Sequence, residues 1–187
     1  MRFETFDSQK HSIDKVANLL YDVDFRTYDK IYKSKNQAIK DICTWIDSGD
    51  DTINVVLEDD KIIGVVVLYI NKKPSFIDMF KEFHSFKLLI VSILDYFVIC
   101  DVNLGDVYIA DIAISSECRG KGIGTKVIEH IIDNARENNF KRVTLDADFR
   151  NTRVKKLYER IGFKVFNKKE FLKRRMFNME YVLDEEK

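Results

Sequence analysis

The chain has 187 residues, of which 45% are hydrophobic and 33% charged, a balance that fits one soluble globular domain and excludes a disordered chain. Thirty-one basic residues face 31 acidic ones, so the net charge recommends no nucleic-acid partner. Cys43, Cys100 and Cys118 lack paired spacing, which argues against disulfides and against a metal site, and the charged start Met1–Asp7 has no apolar signal core.

A cytoplasmic protein with reduced thiols is therefore expected. Residues 2–6 read as a first strand. Ile13, Val16, Ala17 and Leu20 then repeat at helical spacing, with Ser8 or Ser12 as N-cap. Asp24 to Tyr32 is aromatic and polar without a clear period, a loop or a broken helix. Ile39, Ile42, Cys43 and Ile46 form the stripe of the next helix, which stops at Gly49. Residues 52–58 and 61–70 read as strands around Asp59-Asp60, and Gly64 marks a bulge or a close approach.

Pro74 fits the first turn of a helix carrying Phe76, Phe80, Phe83, Phe86, Ile90, Ile93, Leu94 and Phe97. Its window Leu88–Cys100 is the most apolar of the chain, yet it falls short of the roughly 20 residues that span a bilayer and contains Asp95. No membrane partner is expected. Residues 103–106 turn into a strand, Val107–Ile114. After a glycine-containing loop, Ile123, Val127, Ile128, Ile131, Ile132 and Ala135 lie on one helical stripe. A strand at 142–147 follows. Asn151 or Thr152 then caps a helix bearing Val154, Leu157, Tyr158 and Ile161, which Gly162 ends and Phe163 packs back against. Residues 164–166 and 176–183 read as closing strands. The basic run from Lys168-Lys169 to Lys173-Arg174-Arg175 reads as a solvated face, and His11, His84 and His130 show no partner pattern.

The loop Arg119-Gly120-Lys121-Gly122-Ile123-Gly124 carries the chemistry. Strand, glycine loop and helix together hold a phosphate, because glycines permit a close backbone approach and the helix start offers unpaired N–H groups at a positive dipole end. A dinucleotide site is one reading, supported by Asp146 at the end of the next strand. Against it, Thr125 stands where the third glycine belongs, Ser115–Arg119 make the turn too long, and the motif starts past the middle of the chain, leaving too few strands for a full doubly wound sheet. A nucleoside-triphosphate loop would need a Gly-Lys-Ser/Thr that is absent.

The pattern Arg119-x-x-Gly122-x-Gly124, after a strand ending Asp111-Ile112-Ala113-Ile114, resembles the acyl-CoA signature of the GNAT superfamily of N-acetyltransferases. The likeness continues at Asn151 to Phe163, which is similar to the family's later Asn…Leu-Tyr-x-x-x-Gly-Phe motif. Two motifs in order on matching elements are far more specific than glycines alone. The resemblance implies an α/β (α+β) domain over 1–187 with a single mixed, mostly antiparallel sheet of about seven strands flanked by helices. It also implies transfer of an acetyl group from acetyl-CoA to a primary amine, on a small molecule or a protein N-terminus, with no metal.

Residue by residue, the same resemblance has the N–H groups of Arg119, Gly120, Lys121, Gly122, Ile123, Gly124 and Thr125 hold the pyrophosphate. The backbone of Ile112, Ala113 and Ile114 pairs with the pantetheine arm, Asn151 helps seat the cofactor, and Tyr158 protonates the departing thiolate. Asp111, in the strand beside the thioester, is the candidate base, with Asp146 second. Phe25, Arg26, Tyr28 and Tyr32 are acceptor-site candidates. Residues 71–106 depart from the family's short turn and form a helical insertion, either a lid over the acceptor or a homodimer interface. A non-catalytic CoA-binding module of the same fold is the second class of function, and a dinucleotide oxidoreductase the third.

Overall fold

Asp59 and Asp60, with φ of 48° and 60°, form the tight turn that the sequence places between two strands. The strands it joins are β2 (Ile53–Glu58) and β3 (Lys61–Ile70) of a computed structural model that describes residues 1–47, 53–71 and 85–183. The remaining elements are β1 (Arg2–Thr5), α1 (Ile13–Val23), α2 (Phe25–Ile31), α3 (Lys35–Asp47), α4 (Phe86–Tyr96), β4 (Asp106–Ile114), α5 (Ile123–Glu137), β5 (Arg142–Asp148), α6 (Thr152–Ile161), β6 (Lys164–Phe171) and β7 (Arg174–Val182). Seven strands make one mixed sheet in the order β1-β2-β3-β4-β5-β7-β6. The β4–β5 pair is parallel, whereas β1–β2, β2–β3, β5–β7 and β6–β7 are antiparallel. This is the sheet class expected from the sequence.

The described residues fall into two compact units, one of 1–47, 53–68, 85–93 and 111–123, the other of 69–71, 94–110 and 124–183. In the first unit, Ser12 Oγ accepts the N–H of Lys15 at 3.3 Å and so starts α1. The apolar stripe of α1 buries Val16, Ala17 and Leu20, and that of α3 buries Ala38, Ile42 and Ile46. The two helices pack on each other. Register shifts between Val56↔Gly64 and Leu57↔Ile62, so a bulge does sit at this point of β3. Gly64 is also a close approach: a Cβ there would lie 2.8 Å from Ile114 Cδ1 and 2.9 Å from Ala113 O.

In the second unit, β5 is buried at Val143, Leu145 and Ala147, and β7 at Asn178 and Met179. At the start of the parallel pair, Arg142 grips Asp106 with two bonds of 2.8 Å and reaches Glu180 at 2.6 Å. Asp106 is only 2% exposed, so this cation compensates a buried charge.

Three expectations need adjusting. Phe25–Ile31 is a helix, too short and too polar for its stripe to show in the sequence. The closing strands are longer than read, with Leu172 and Lys173 at φ of 46° and 66° making their turn. β6 is an edge strand whose charged side chains hide its alternation. Strand parity also splits the basic run: Lys169 and Arg174 share one face of the hairpin, Lys168 and Arg175 the other. Gly49, Pro74, Phe76, Phe80, Phe83 and His84 lie outside the described residues. No helix among the described residues is long and apolar enough to cross a membrane.

Candidate functional site

The glycine loop begins where β4 ends. Ser115 N donates to Ile63 O at 2.8 Å, and a 3-10 turn, Ser116–Cys118, carries the chain to Arg119. Arg119 Nε donates back to Ile114 O at 2.9 Å and ties the loop to its own strand. Gly120 and Gly122 then have φ of 79° and 77°, where a side chain would be strained. A Cβ at either glycine would meet nothing within 4 Å, so the backbone on that side opens onto free space. Ile123 is the first residue of α5, with Gly124 and Thr125 in its opening turn, whose N–H groups have no partner inside the helix. Conformation, room and donors thus coincide over Gly120–Thr125, whereas the Arg119 N–H is already given to Ser116 O at 3.3 Å.

The strand leading into this loop changes character along its length. The ladder between β4 and β5 runs from Asp106↔Arg142 to Ile109↔Leu145, while β4 continues to Ile114. Asp106–Ile109 are buried, Ala110, Asp111 and Ile112 half-buried, and Ala113 is buried again. On β4, Asp111 has the parity of Val107 and Ile109, opposite to that of Tyr108.

In the second unit, Asn151 Oδ1 accepts the Val154 N–H at 3.3 Å, so it is the cap that starts α6. Gly162, at φ 121°, ends the helix by donating to the carbonyls of Tyr158 and Glu159. A side chain there would sit 2.9 Å from the Tyr181 ring. Phe163 follows, buried and 5.7 Å from Tyr181, as the sequence anticipates. Tyr158 is 6% exposed, with its ring 6.0 Å from that of Phe163.

Asp146 is the center of a network that sequence reading missed. Its Oδ2 accepts from Tyr108 OH at 2.8 Å and from Cys100 N at 3.0 Å, and its Oδ1 accepts from Asn178 Nδ2 at 2.5 Å. Burial pushes its carboxyl above the ordinary value of 3.8, against the opposing pull of Asn178, the Cys100 N–H, Tyr108 and Lys169. Asn178 Nδ2 also holds Val98 O at 3.0 Å. Lys169 Nζ holds Ile99 O at 3.0 Å and Asp101 at 2.9 Å, and Arg174 holds Asp95 at 2.6 Å. The segment leaving α4 is therefore bolted to one face of β4–β7, a fixed wall on that face. The signal was available in parity: Tyr108, Thr144 and Asp146 share one face, with Asp106, Arg142 and Asp148, in strands otherwise rich in Val, Ile and Leu.

The four acceptor-site candidates separate into two pairs. Phe25, 45% exposed, carries the Arg26 guanidinium 5.5 Å above its ring on the outside of α2. Tyr28 and Tyr32 are brought together, 6.1 Å apart, and Tyr28 stacks on Tyr21 at 5.6 Å. Tyr21 donates to Asp29, and that bond together with burial pushes its phenol up to about 12. Tyr32 donates to Asp41 at 2.9 Å, on an oxygen that also takes a bond from Ser85. Lys87 lies 4.8 Å over the Tyr32 ring and Lys35 4.6 Å over that of Tyr21. His11, read as unpartnered, has a backbone partner: its Nδ1 accepts from Asp7 N at 3.0 Å.

On α4, Leu89 and Val91 are buried and Phe86 is 67% exposed, while Phe97, just past its end, is 46% exposed. Phe97 stacks on Phe171 at 4.4 Å. Among the described residues, no group of three His, Cys, Asp or Glu side chains could hold a metal ion.

A sequence model of the acetyltransferase (GNAT) family matches residues 17–163. Among curated proteins, the chain is 36% identical over 59 residues to the probable N-acetyltransferase camello of Xenopus laevis, covering 32% of this chain and 27% of that one. The curated relatives are matched over 27%, 36% and 47% of their own lengths, less than half in each case. Among solved structures, an N-acetyltransferase from Staphylococcus aureus Mu50 superposes with a TM-score of 0.70 at 18% identity, over 97% of this chain and 100% of that one. An acetyltransferase from Bacillus subtilis in complex with CoA gives 0.57 at 16% identity, over 97% and 98%. At such identities the likeness is one of fold.

Proposed function

The chain belongs to the acetyltransferase (GNAT) family, and on that premise we propose that it moves the acetyl group of acetyl-CoA onto a primary amine. The single observation that carries the reading is the pair Gly120 and Gly122 at positive φ, opening onto free space at the start of α5. Such a cradle binds an anion through main-chain donors and the helix dipole. The N–H groups of Gly120–Thr125 take the diphosphate, the Arg119 N–H being already bonded to Ser116 O. The backbone of Ile112–Ile114, beyond the last β4–β5 ladder pair, takes the pantetheine arm as an added strand. A donor from this stretch polarises the thioester carbonyl.

The amine nitrogen attacks the acetyl carbon, the carbon–sulfur bond breaks, and its electron pair stays on sulfur. Tyr158 gives the thiolate a proton. In water, transfer from a phenol near 10 to a thiolate whose acid lies near 8.5 is uphill by about 2 kcal/mol, so it is coupled to bond cleavage. An alkylammonium acceptor sheds two protons in all: one restores Tyr158, the other leaves to solvent through a base. Asp111 and Asp146 are the carboxylates available for that step. Asn151, besides capping α6, helps seat the cofactor. Among the described residues Cys43, Cys100 and Cys118 form no disulfide, which fits a cytoplasmic enzyme.

The test is thiol release from acetyl-CoA with a panel of putrescine, kanamycin, lysine and a peptide with a free N-terminus. Acetylated amine should appear in step with thiol. Coenzyme A uptake without release would leave a binding module, and no uptake by calorimetry would end the proposal.

A further inference from the structure

Buried polar atoms without partners mark places where a donor or acceptor is missing, and among the described residues Thr144 Oγ1 and Asn178 Oδ1 are such atoms on one face of the second unit's sheet. Asn178 is fully buried, and among the described residues its Oδ1 has no hydrogen-bond partner. The amide cannot be turned around to cure this, because Nδ2 already serves two acceptors, Asp146 Oδ1 and Val98 O. Two residue pairs along, Thr144 is also fully buried, with no partner for its Oγ1 among the described residues. Register puts Asp146 opposite Asn178 and Thr144 opposite Glu180, so all four side chains share a face. Asp146 Oδ1 receives a single bond, whereas a carboxylate oxygen can accept two. Asp146 Oδ1 thus keeps a spare lone pair, and the amide oxygen of its ladder partner Asn178 also wants a donor.

We propose that Asp146 and Asn178 together receive the ammonium group of the acceptor, and that Asp146 takes the first of its two protons. An ammonium has three N–H donors and a charge that only a carboxylate nearby offsets. The inference deepens the acetyl-transfer reading and rests on it. The wall formed by residues 98–101 gives the site its orientation, because Cys100 N and Tyr108 OH fix Oδ2 and leave Oδ1 to the substrate. The step balances: the N–H bond breaks with its electron pair left on nitrogen, the proton joins a carboxylate oxygen, and the freed lone pair attacks the thioester. Burial helps by raising the carboxyl above its ordinary range, which brings it closer to the amine as a proton acceptor. The titratable and charged groups on its face are Asp106 and Tyr108 from β4, Arg142 and Asp148 from its own strand, Arg174 and Glu180 from β7, Lys169 from β6 and, paired with Lys169, Asp101 from the wall.

The experiment measures kcat, both KM values and the pH profile of kcat/KM for the full chain and its variants, using the amine from the panel that is turned over best. Asp146→Asn should lower kcat/KM for the amine roughly 100-fold and abolish the acid limb of the profile, with KM for acetyl-CoA unchanged. Should that variant misfold, Tyr108→Phe keeps the test open. It removes one donor that favors the charged carboxylate, so the acid limb should move to higher pH. A merely structural Asp146 would leave both limbs in place. Unchanged amine KM and acid limb in Asp146→Asn, or an unmoved limb in Tyr108→Phe, overturns the proposal while the transferase reading stands. A wild-type chain that turns over no amine overturns both.

Discussion

The loop after β4 and the polar face of β4–β7, the two proposed halves of the site, are built in two ways. At the loop the working groups belong to the main chain, and the residues that matter are those without side chains: Gly120 and Gly122 hold φ angles that others avoid. On the polar face the working groups are side chains brought together from afar. Asp146 meets Tyr108 across 38 residues, Cys100 across 46 and Asn178 across 32. A site made of backbone conformation leaves a local mark in the sequence. A site made by strand register leaves none until the register is known.

The contrast can be broken in order of effect. Gly122→Val should abolish coenzyme A binding by calorimetry while the circular-dichroism spectrum stays that of wild type. A side chain at φ 77° strains the loop, yet it meets no neighbor, so the fold is spared. Arg142→Met acts the other way, on the register that builds the polar face. Removing the partner of Asp106, 2% exposed, should cost about 3–5 kcal/mol in urea denaturation. Tyr158→Phe should lower turnover about 100-fold with little change in stability, because it deletes one oxygen from a buried ring. Wild-type turnover in that variant would refute its role as proton donor.

Two smaller effects sharpen the comparison. Asn151→Ala should destabilise the chain by about 1 kcal/mol through the lost cap on α6, read as a shift in the urea midpoint. The carboxyl of Asp146 lies above its ordinary 3.8 in the folded chain, so the native state holds its proton more firmly than the unfolded state does. The sign follows: the penalty is absent below about 3.8 and complete once pH passes the raised folded value. Its contribution to stability is therefore lost as pH climbs through that window. Stability curves of wild type and Asp146→Asn should differ in slope there, and parallel curves would show that the carboxylate titrates as it does unfolded.

Most of the fold was readable because its elements carry period and punctuation. Ser12, Asn151 and Gly162 cap where the sequence places them, and the Asp59-Asp60 turn sets its hairpin. Phe25–Ile31 was not readable, since a seven-residue helix with no buried residue has no stripe to display. β6 was cut short because an edge strand with lysines on both faces looks like a solvated run. Within the site, Gly120, Gly122, Asn151 and Tyr158 could be named from motifs. Asp146 could be named, yet not what surrounds it. Asn178 and Tyr108 could not, because an Asn or Tyr inside a strand is ordinary until the residue opposite is known.

The central claim is that main-chain amides at the opening of α5 grip the diphosphate. It is tested most directly by titrating the 15N-labelled chain with coenzyme A and following its amide resonances. Those of Lys121–Thr125 should shift furthest and saturate together with the calorimetric binding curve. Binding that leaves these five amides unmoved would contradict the account.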